Sequence, residues 1–211
     1  WGRELSELGP QVAGRIPVRT DDDDRYFTDR HQCMPAAGYT AMFERILDHP
    51  RIGLHLGTRF EPQRAAGEWS HIVYTGPIDA FFGERFGALP YRSLRFETEH
   101  HPEHDHVLPV ATINHPNAHP YTRITEFKHM TGQRCRGTTL VREYPTAEGP
   151  PFYPVPNAAS EALFRRYRAL ADALPDLSFV GRLAEYRYYN MDQVVAAALA
   201  AAARIRTRLE P

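Results

Sequence analysis

The chain has 211 residues, 42% hydrophobic and 24% charged, with 25 Lys+Arg against 26 Asp+Glu and 11 His. That size holds one large domain or two small ones around a packed core, and a formal net charge of −1 argues against a nucleic-acid binder held by a basic surface. No apolar run reaches the roughly 20 residues needed to cross a bilayer; two cysteines, Cys33 and Cys135, make no disulfide scaffold and point to a reducing, cytoplasmic setting. No signal peptide is visible, and Trp rather than Met stands first, which suggests a processed chain or a piece of a longer one.

Residues Trp1 to Phe27 read as irregular, with the turn Gly9-Pro10 and a solvated acidic run from Asp21 to Asp24. Tyr39, Met42, Phe43, Ile46 and Leu47 recur at helical spacing, with Thr40 as a cap and His49-Pro50 as the stop. Ile52, Leu54 and Leu56 alternate with Gly53, His55 and Gly57, the period of a half-buried strand. A second strand, His71 to Thr75, stops at Gly76-Pro77. Further strands are expected around Leu94 and Phe96, and over Val107 to Ile113, Thr122 to His129 and Thr138 to Glu143. Consecutive strands with short polar connections form an antiparallel sheet.

Two helices are expected next. Ser160 to Leu174 places Leu163, Phe164, Tyr167, Leu170, Ala171 and Leu174 on one face, and Met191 to Leu209 does so with Val194, Val195, Ala198, Leu199 and Ile205. Asn190 stands at the N-cap of the second, with Gln193 three residues on. The fold class is therefore α+β (mixed α/β), an antiparallel sheet with flanking helices plus a separate strand–helix part.

Candidate chemistry lies in arginines and tyrosines beside turns and strand ends: Arg15, Arg92, Arg123 and Arg182, with Tyr26, Tyr153 and Tyr188. Arginine presents a rigid donor fork that matches phosphate oxygens, so several converging on one place would favour a diphosphate ligand. Taken singly, each reads as well as a surface ion-pair partner. Phe179-Val180-Gly181-Arg182-Leu183 ends a strand-like run and leads to the capped helix at Asn190-Met191-Asp192. Such a helix N-terminus offers unpaired N–H groups to an electron-rich ligand edge. His100, His101, His104 and His106 make a His-rich tract with Pro102 inside it, read as a mobile polar loop rather than a metal site. There is no G-x-S-x-G nucleophile turn and no G-x-G-x-x-G dinucleotide turn anywhere in the sequence.

Trp1-Gly2-Arg3, Arg15-Ile16-Pro17-Val18-Arg19, Tyr26-Phe27, Gly38-Tyr39-Thr40, Tyr74-Thr75-Gly76-Pro77, Tyr91-Arg92-Ser93-Leu94, Tyr121-Thr122-Arg123-Ile124, Phe152-Tyr153-Pro154 and Gly181-Arg182-Leu183-Ala184-Glu185-Tyr186 occur together in one order. In that order and spacing the chain resembles the prokaryotic UDP-galactopyranose mutases from Trp1 to about Leu209. The resemblance implies a cytoplasmic FAD enzyme, active in its reduced form, that interconverts UDP-galactopyranose and UDP-galactofuranose for cell-wall glycans through an adduct of the sugar with flavin N5. It implies three divisions: residues 1–50 as the end of a helical domain with a mobile substrate loop, 51–80 and 178–211 as parts of the FAD-binding α/β domain, and 81–177 as an antiparallel sheet domain with a helix.

By the same resemblance Arg15 and Arg123 match the diphosphate arginines, Tyr153 and Tyr188 phosphate-contacting tyrosines, Tyr26 a nucleotide-side tyrosine and Asn114 a substrate-contacting asparagine. Trp1 matches a tryptophan near the sugar, and Arg92 an active-site arginine. Arg182 is similar to an arginine holding FAD; Tyr189, Asn190, Met191, Asp192, Gln193 and Val194 match the segment along the flavin, and Arg59 with Phe60 an adenosine contact. No metal is implied. Asn190 stands where relatives often carry Asp, the connection from Asn114 to Arg123 is slightly short, and the glycine-rich FAD turn is missing from these residues. The implied partners are the nucleotide-sugar substrate and the N-terminal half of such an enzyme, with room for a homodimer. The alternative is a non-catalytic remnant that binds a nucleotide sugar or another chain.

Overall fold

A computed structural model describes residues 5–9, 12, 14, 18–23, 25–61 and 67–210. The fold is mixed α+β. In chain order its elements are α1 (Gly38–Leu47), β1 (Ile72–Tyr74), α2 (Ile78–Phe81), β2 (Tyr91–His101), β3 (Thr112–Asn114), β4 (Arg123–Glu126), α3 (Lys128–Thr131), β5 (Thr138–Thr146), β6 (Tyr153–Pro154), α4 (Ala158–Asp172), β7 (Leu177–Phe179) and α5 (Met191–Leu209). They fall into two compact units: Trp1–Ile16, Glu61–Leu94 and Thr146–Pro211 in the first, Pro17–Phe60 and Arg95–Pro145 in the second.

In the first unit β1 and β7 pair in parallel, Ile72 opposite Leu177 and Tyr74 opposite Phe179. The first residues of β2 pair antiparallel with β6. The core gathers Ile78, Leu89, Tyr167, Ala171, Phe179, Ala184 and Tyr186, lined by Phe81, Phe82, Phe86 and Phe164 among others. Helix α4 starts because Asn157 and Ser160 form a reciprocal cap: Asn157 Oδ1 accepts the Ser160 N–H at 2.9 Å and Ser160 Oγ accepts the Asn157 N–H at 3.1 Å. Its inward face brings Tyr167 into the core, fully buried. There the phenol donates to the Gly87 carbonyl at 2.7 Å and accepts the Phe86 N–H at 3.0 Å, so its polar tip is satisfied.

In the second unit β3, β4, β5 and the body of β2 lie in that order. Thr112, Ile113 and Asn114 stand opposite Thr125, Ile124 and Arg123, and Arg123 in turn opposite Glu143. Gly132, at φ +63, closes α3 in the left-handed conformation that glycine adopts without steric cost.

Several sequence expectations are corrected. Ile52 to Leu56 form no strand; all three apolar residues are exposed, and among the described residues the segment has no ladder partner. Glycines at 53 and 57 give such a run little to pack with. Of Val107 to Ile113 only the end is strand, since Pro109 cannot donate to a ladder. The expected strand Thr122 to His129 ends at Glu126 and passes into α3. Helix α1 begins at Gly38 with Ala37 as its cap residue, so Thr40 lies inside it. His100 and His101 belong to β2 and not to a loop. The expected boundaries of α5 hold, yet Val195 and Leu199 face outward, and Ala201 is its one buried residue.

Candidate functional site

The short β2–β6 pairing in the first unit sets Arg92 directly opposite Tyr153. Residues opposite each other on an antiparallel pair share a face and approach within side-chain reach. The ladder ends at Pro154, which has no N–H to continue it. Arg92 Nε is buried and has no hydrogen-bond partner among the described residues. An orphaned buried donor is costly, so it marks a place where an acceptor from outside these residues would be welcome.

Beside this pair runs the loop from β7 to α5. Val180 still donates to the Tyr74 carbonyl at 3.1 Å, continuing the parallel ladder; Gly181 then turns the chain at φ +102, a conformation available to glycine and strained in any other residue. Arg182 donates to the Phe152 carbonyl at 3.2 Å and to the Tyr189 carbonyl, and its guanidinium lies 4.7 Å over the Tyr188 ring. The Tyr188 ring meets Tyr153 edge-on at 5.7 Å. Arg92 and Tyr153 are thus paired by register, and Tyr153, Tyr188 and Arg182 are linked by ring and cation–π contacts. Arg182, expected to face a cofactor, spends donors on tying the loop to the β6 side.

Two residues before Tyr188, Tyr186 sits at φ +47 with its ring buried. Burial pushes its phenol up to about 12. Its hydroxyl donates to the Pro90 carbonyl at 2.6 Å and accepts the Val155 N–H at 3.3 Å. Beyond Tyr189 the chain enters α5, where Gln193 Oε1 accepts the Asn190 N–H at 2.9 Å, the expected half of a capping box. Met191, Asp192 and Gln193 are exposed and Val194 half-buried, so the first turn of this 19-residue helix is open at its positive end.

The second unit holds the other cluster. Arg123 Nε donates to Asn114 Oδ1 at 3.0 Å across the β3–β4 register, and its Nη1 lies 3.6 Å from Glu143 Oε1. The side chain remains 45% exposed, so its fork is aimed while part of it stays open to a ligand. Glu143 was not foreseen; it is found only once β4 and β5 are in register. The hairpin is fastened from below by Glu126, which is fully buried. Its carboxylate accepts from the Thr138 hydroxyl at 2.6 Å and from the N–H groups of Leu108 and Val107 at 2.7 and 3.2 Å. Burial by itself raises this carboxyl, but those donors and nearby His129 outweigh it and hold it below its ordinary value.

The other expected residues are placed as follows. Tyr26 is exposed with its ring edge-on to Phe27 at 4.8 Å, and Arg59 and Phe60 are exposed in a stretch without regular structure. Trp1 and Arg15 lie outside the described residues. Among the described residues no group of three His, Cys, Asp or Glu is placed to hold a metal ion, and no helix is long and apolar enough to cross a membrane.

A family model for UDP-galactopyranose mutase matches residues 1–188. A Klebsiella pneumoniae protein named "Probable UDP-galactopyranose mutase" is 39% identical over 94% of this chain and 52% of its own length. A dTDP-fucopyranose mutase of Escherichia coli is 34% identical over 94% of this chain and 55% of itself. The Mycoplasma pneumoniae UDP-galactopyranose mutase is 36% identical over 97% and 56%. The chain belongs to the UDP-galactopyranose mutase family, whose enzymes are flavoproteins, and it spans about half the length of the curated relatives it matches.

Proposed function

We propose that this chain supplies the diphosphate-binding wall and the flavin-side helix terminus of an enzyme that converts UDP-galactopyranose to UDP-galactofuranose. The observation that carries the reading is the linked set Arg92, Tyr153, Tyr188 and Arg182, with the buried Arg92 Nε lacking an acceptor of its own. Ring contraction in a nucleotide sugar requires the bond between the anomeric carbon and the diphosphate to break. Negative charge then collects on the departing phosphate oxygens. Pre-aimed guanidinium and phenol donors stabilise that charge more than they stabilise the starting ester. Arg92, Tyr153 and Tyr188 are assigned this task within the first unit; Arg15 and Arg123 are assigned it by their family motifs, and within its own unit Arg123 is aimed by Asn114 and Glu143.

FAD, in reduced form, would supply the nucleophilic chemistry at the anomeric carbon. The orphaned Arg92 donor and the open first turn of α5 are compatible with an anionic, electron-rich group held nearby. Tyr189 to Val194 would run along it, Arg182 would fix their loop, and Asn190, an amide, would cap the helix without adding charge. The pyrophosphate of the cofactor needs a glycine-rich turn that this sequence does not contain. We assign that turn to the half of the family's length that the chain does not span. Residues 51–80 and 178–211 then contribute to the FAD-binding domain, where the two-stranded parallel pair β1–β7 would gain further strands. Met191, Val195 and Leu199, exposed at four-residue intervals along α5, and exposed Val73 on β1 give that half an apolar face to cover.

A second reading, nucleotide-sugar binding without turnover, rests on the missing turn. Mixing the chain with the separately expressed N-terminal half of the Klebsiella relative, FAD and dithionite, then following UDP-galactopyranose by chromatography, separates them. UDP-galactofuranose is expected. Binding of UDP without conversion favours the second reading, and neither binding nor conversion contradicts both. dTDP-fucopyranose, the substrate type named for the Escherichia coli relative, tests in the same assay which nucleotide sugar is preferred.

A further inference from the structure

Tyr186 occupies a backbone conformation that its side chain makes expensive. At φ +47 a bulky aromatic residue is strained, whereas glycine would not be. The neighbouring Gly181 shows that this loop uses glycine where only the backbone matters. At 186 the side chain is kept, and its surroundings say why. The ring stacks on Phe164 at 5.7 Å and meets Tyr91 edge-on at 5.3 Å. The hydroxyl bridges Pro90 and Val155, which are themselves joined by the Val155 N–H to Pro90 carbonyl bond of 3.1 Å. Pro90 lies two residues before Arg92, Val155 two residues after Tyr153, and Tyr186 two residues before Tyr188. One phenol oxygen is therefore pinned to both strands of the pair that carries Arg92 and Tyr153, from a turn whose next residues carry Tyr188. A parallel tie runs through Asp79, 4% exposed, which accepts from Leu89 N–H at 2.8 Å and from Tyr91 hydroxyl at 3.4 Å, with the Leu183 carbonyl also 3.4 Å from that hydroxyl.

We propose that Tyr186 is a positioning residue: its left-handed turn, held by the buried phenol, fixes Tyr188 against Tyr153, the residue opposite Arg92, before any ligand arrives. The inference rests on the reading that Tyr153 and Tyr188 meet the diphosphate of a nucleotide sugar. A site assembled in advance does not lose affinity to ordering its own side chains, which gives a strained residue in a loop a reason to stay.

The test uses the 211-residue chain labelled at tyrosine for NMR, with UDP as the probe. Tyr186→Phe removes one oxygen and leaves the ring packed. The Tyr153–Tyr188 ring contact, read as a nuclear Overhauser effect, should weaken severely, and UDP affinity should fall about tenfold, the upper range for one neutral hydrogen bond. An unchanged ring contact together with UDP affinity within twofold of wild type overturns the proposal. Should Y186F not fold, the wild-type chain decides: the ring contact should be present at equal strength with and without UDP, and a contact that forms only on adding UDP overturns the proposal. If Y186F loses the contact while Tyr188→Phe leaves UDP affinity untouched, it is the diphosphate reading that fails, and the latch stands as a structural device alone.

Discussion

Arg92 and Tyr153 face each other across the β2–β6 pair, and the Nε of that arginine is buried with no acceptor among the described residues. A protein keeps such a donor at a cost in stability where a ligand needs it. Arg92→Met, which preserves the stem and deletes the donors, should raise the stability of the ligand-free chain by about 1 kcal/mol. It should also weaken UDP binding at least tenfold, because a charge-assisted donor is lost. Denaturant melts and calorimetry read the two effects. A destabilised variant with unaltered UDP affinity would make Arg92 an ordinary structural residue.

Arg123 is aimed by Asn114 and Glu143 and is the clearest candidate for meeting departing phosphate charge in the second unit. In a reconstituted enzyme Arg123→Ala should lower kcat by at least ~10²-fold, the usual loss for one pre-aimed donor at a developing anion. The circular dichroism spectrum should not change. Near-normal turnover would remove Arg123 from the reaction. Glu143→Gln, which loosens the fork without removing it, should fall between the two.

The Glu126 carboxylate collects a hydroxyl and two backbone N–H groups in a fully buried place. Glu126→Ala strands those donors and should destabilise the chain by about 3 kcal/mol. The pH dependence has a definite sign. The folded-state carboxyl titrates below its ordinary value, so its stabilisation is complete above the unfolded-state value near 4.5 and fades as pH falls from there toward the folded-state value. Urea melts from pH 7 down to pH 3 should show wild type and E126A converging, whereas a constant gap would contradict the assignment.

Much of this architecture was legible in the residues. The bounds of helix α5 are readable from its Asn190-x-x-Gln193 start and its arginine-rich end, and the strand expected over Thr138 to Glu143 is β5, which runs on to Thr146. What failed were segments whose outcome depends on a partner. Ile52 to Leu56 has the alternation of a strand but glycines in place of packing, and β4 turns into α3 because Glu126 is engaged from below by Leu108 and Thr138. The outward turn of Val195 and Leu199 has the same origin, since a helical period gives a face but not what covers it. At the site, arginines and tyrosines could be nominated by type and by family order, while Glu143 and Tyr186 could not. The first depends on strand register, the second on a backbone sign that no composition encodes in a residue other than glycine.

The absence of any glycine-rich dinucleotide turn from the sequence predicts that the purified 211-residue chain carries no stoichiometric FAD, because the turn that seats a dinucleotide's pyrophosphate is missing from it. Absorbance between 350 and 500 nm reads this directly. A yellow preparation with one flavin per chain would contradict it and would require a different cradle.

The Arg92 guanidinium and the Tyr153 and Tyr188 phenols are proposed to meet one diphosphate. The most direct test of this is the NMR response of arginine Nε–H and tyrosine ring signals to UDP, with uridine as the control lacking phosphate. Shifts at Arg92, Tyr153 and Tyr188 with UDP, absent with uridine, are the predicted result; shifts that uridine reproduces, or no shift at these three residues, would contradict it.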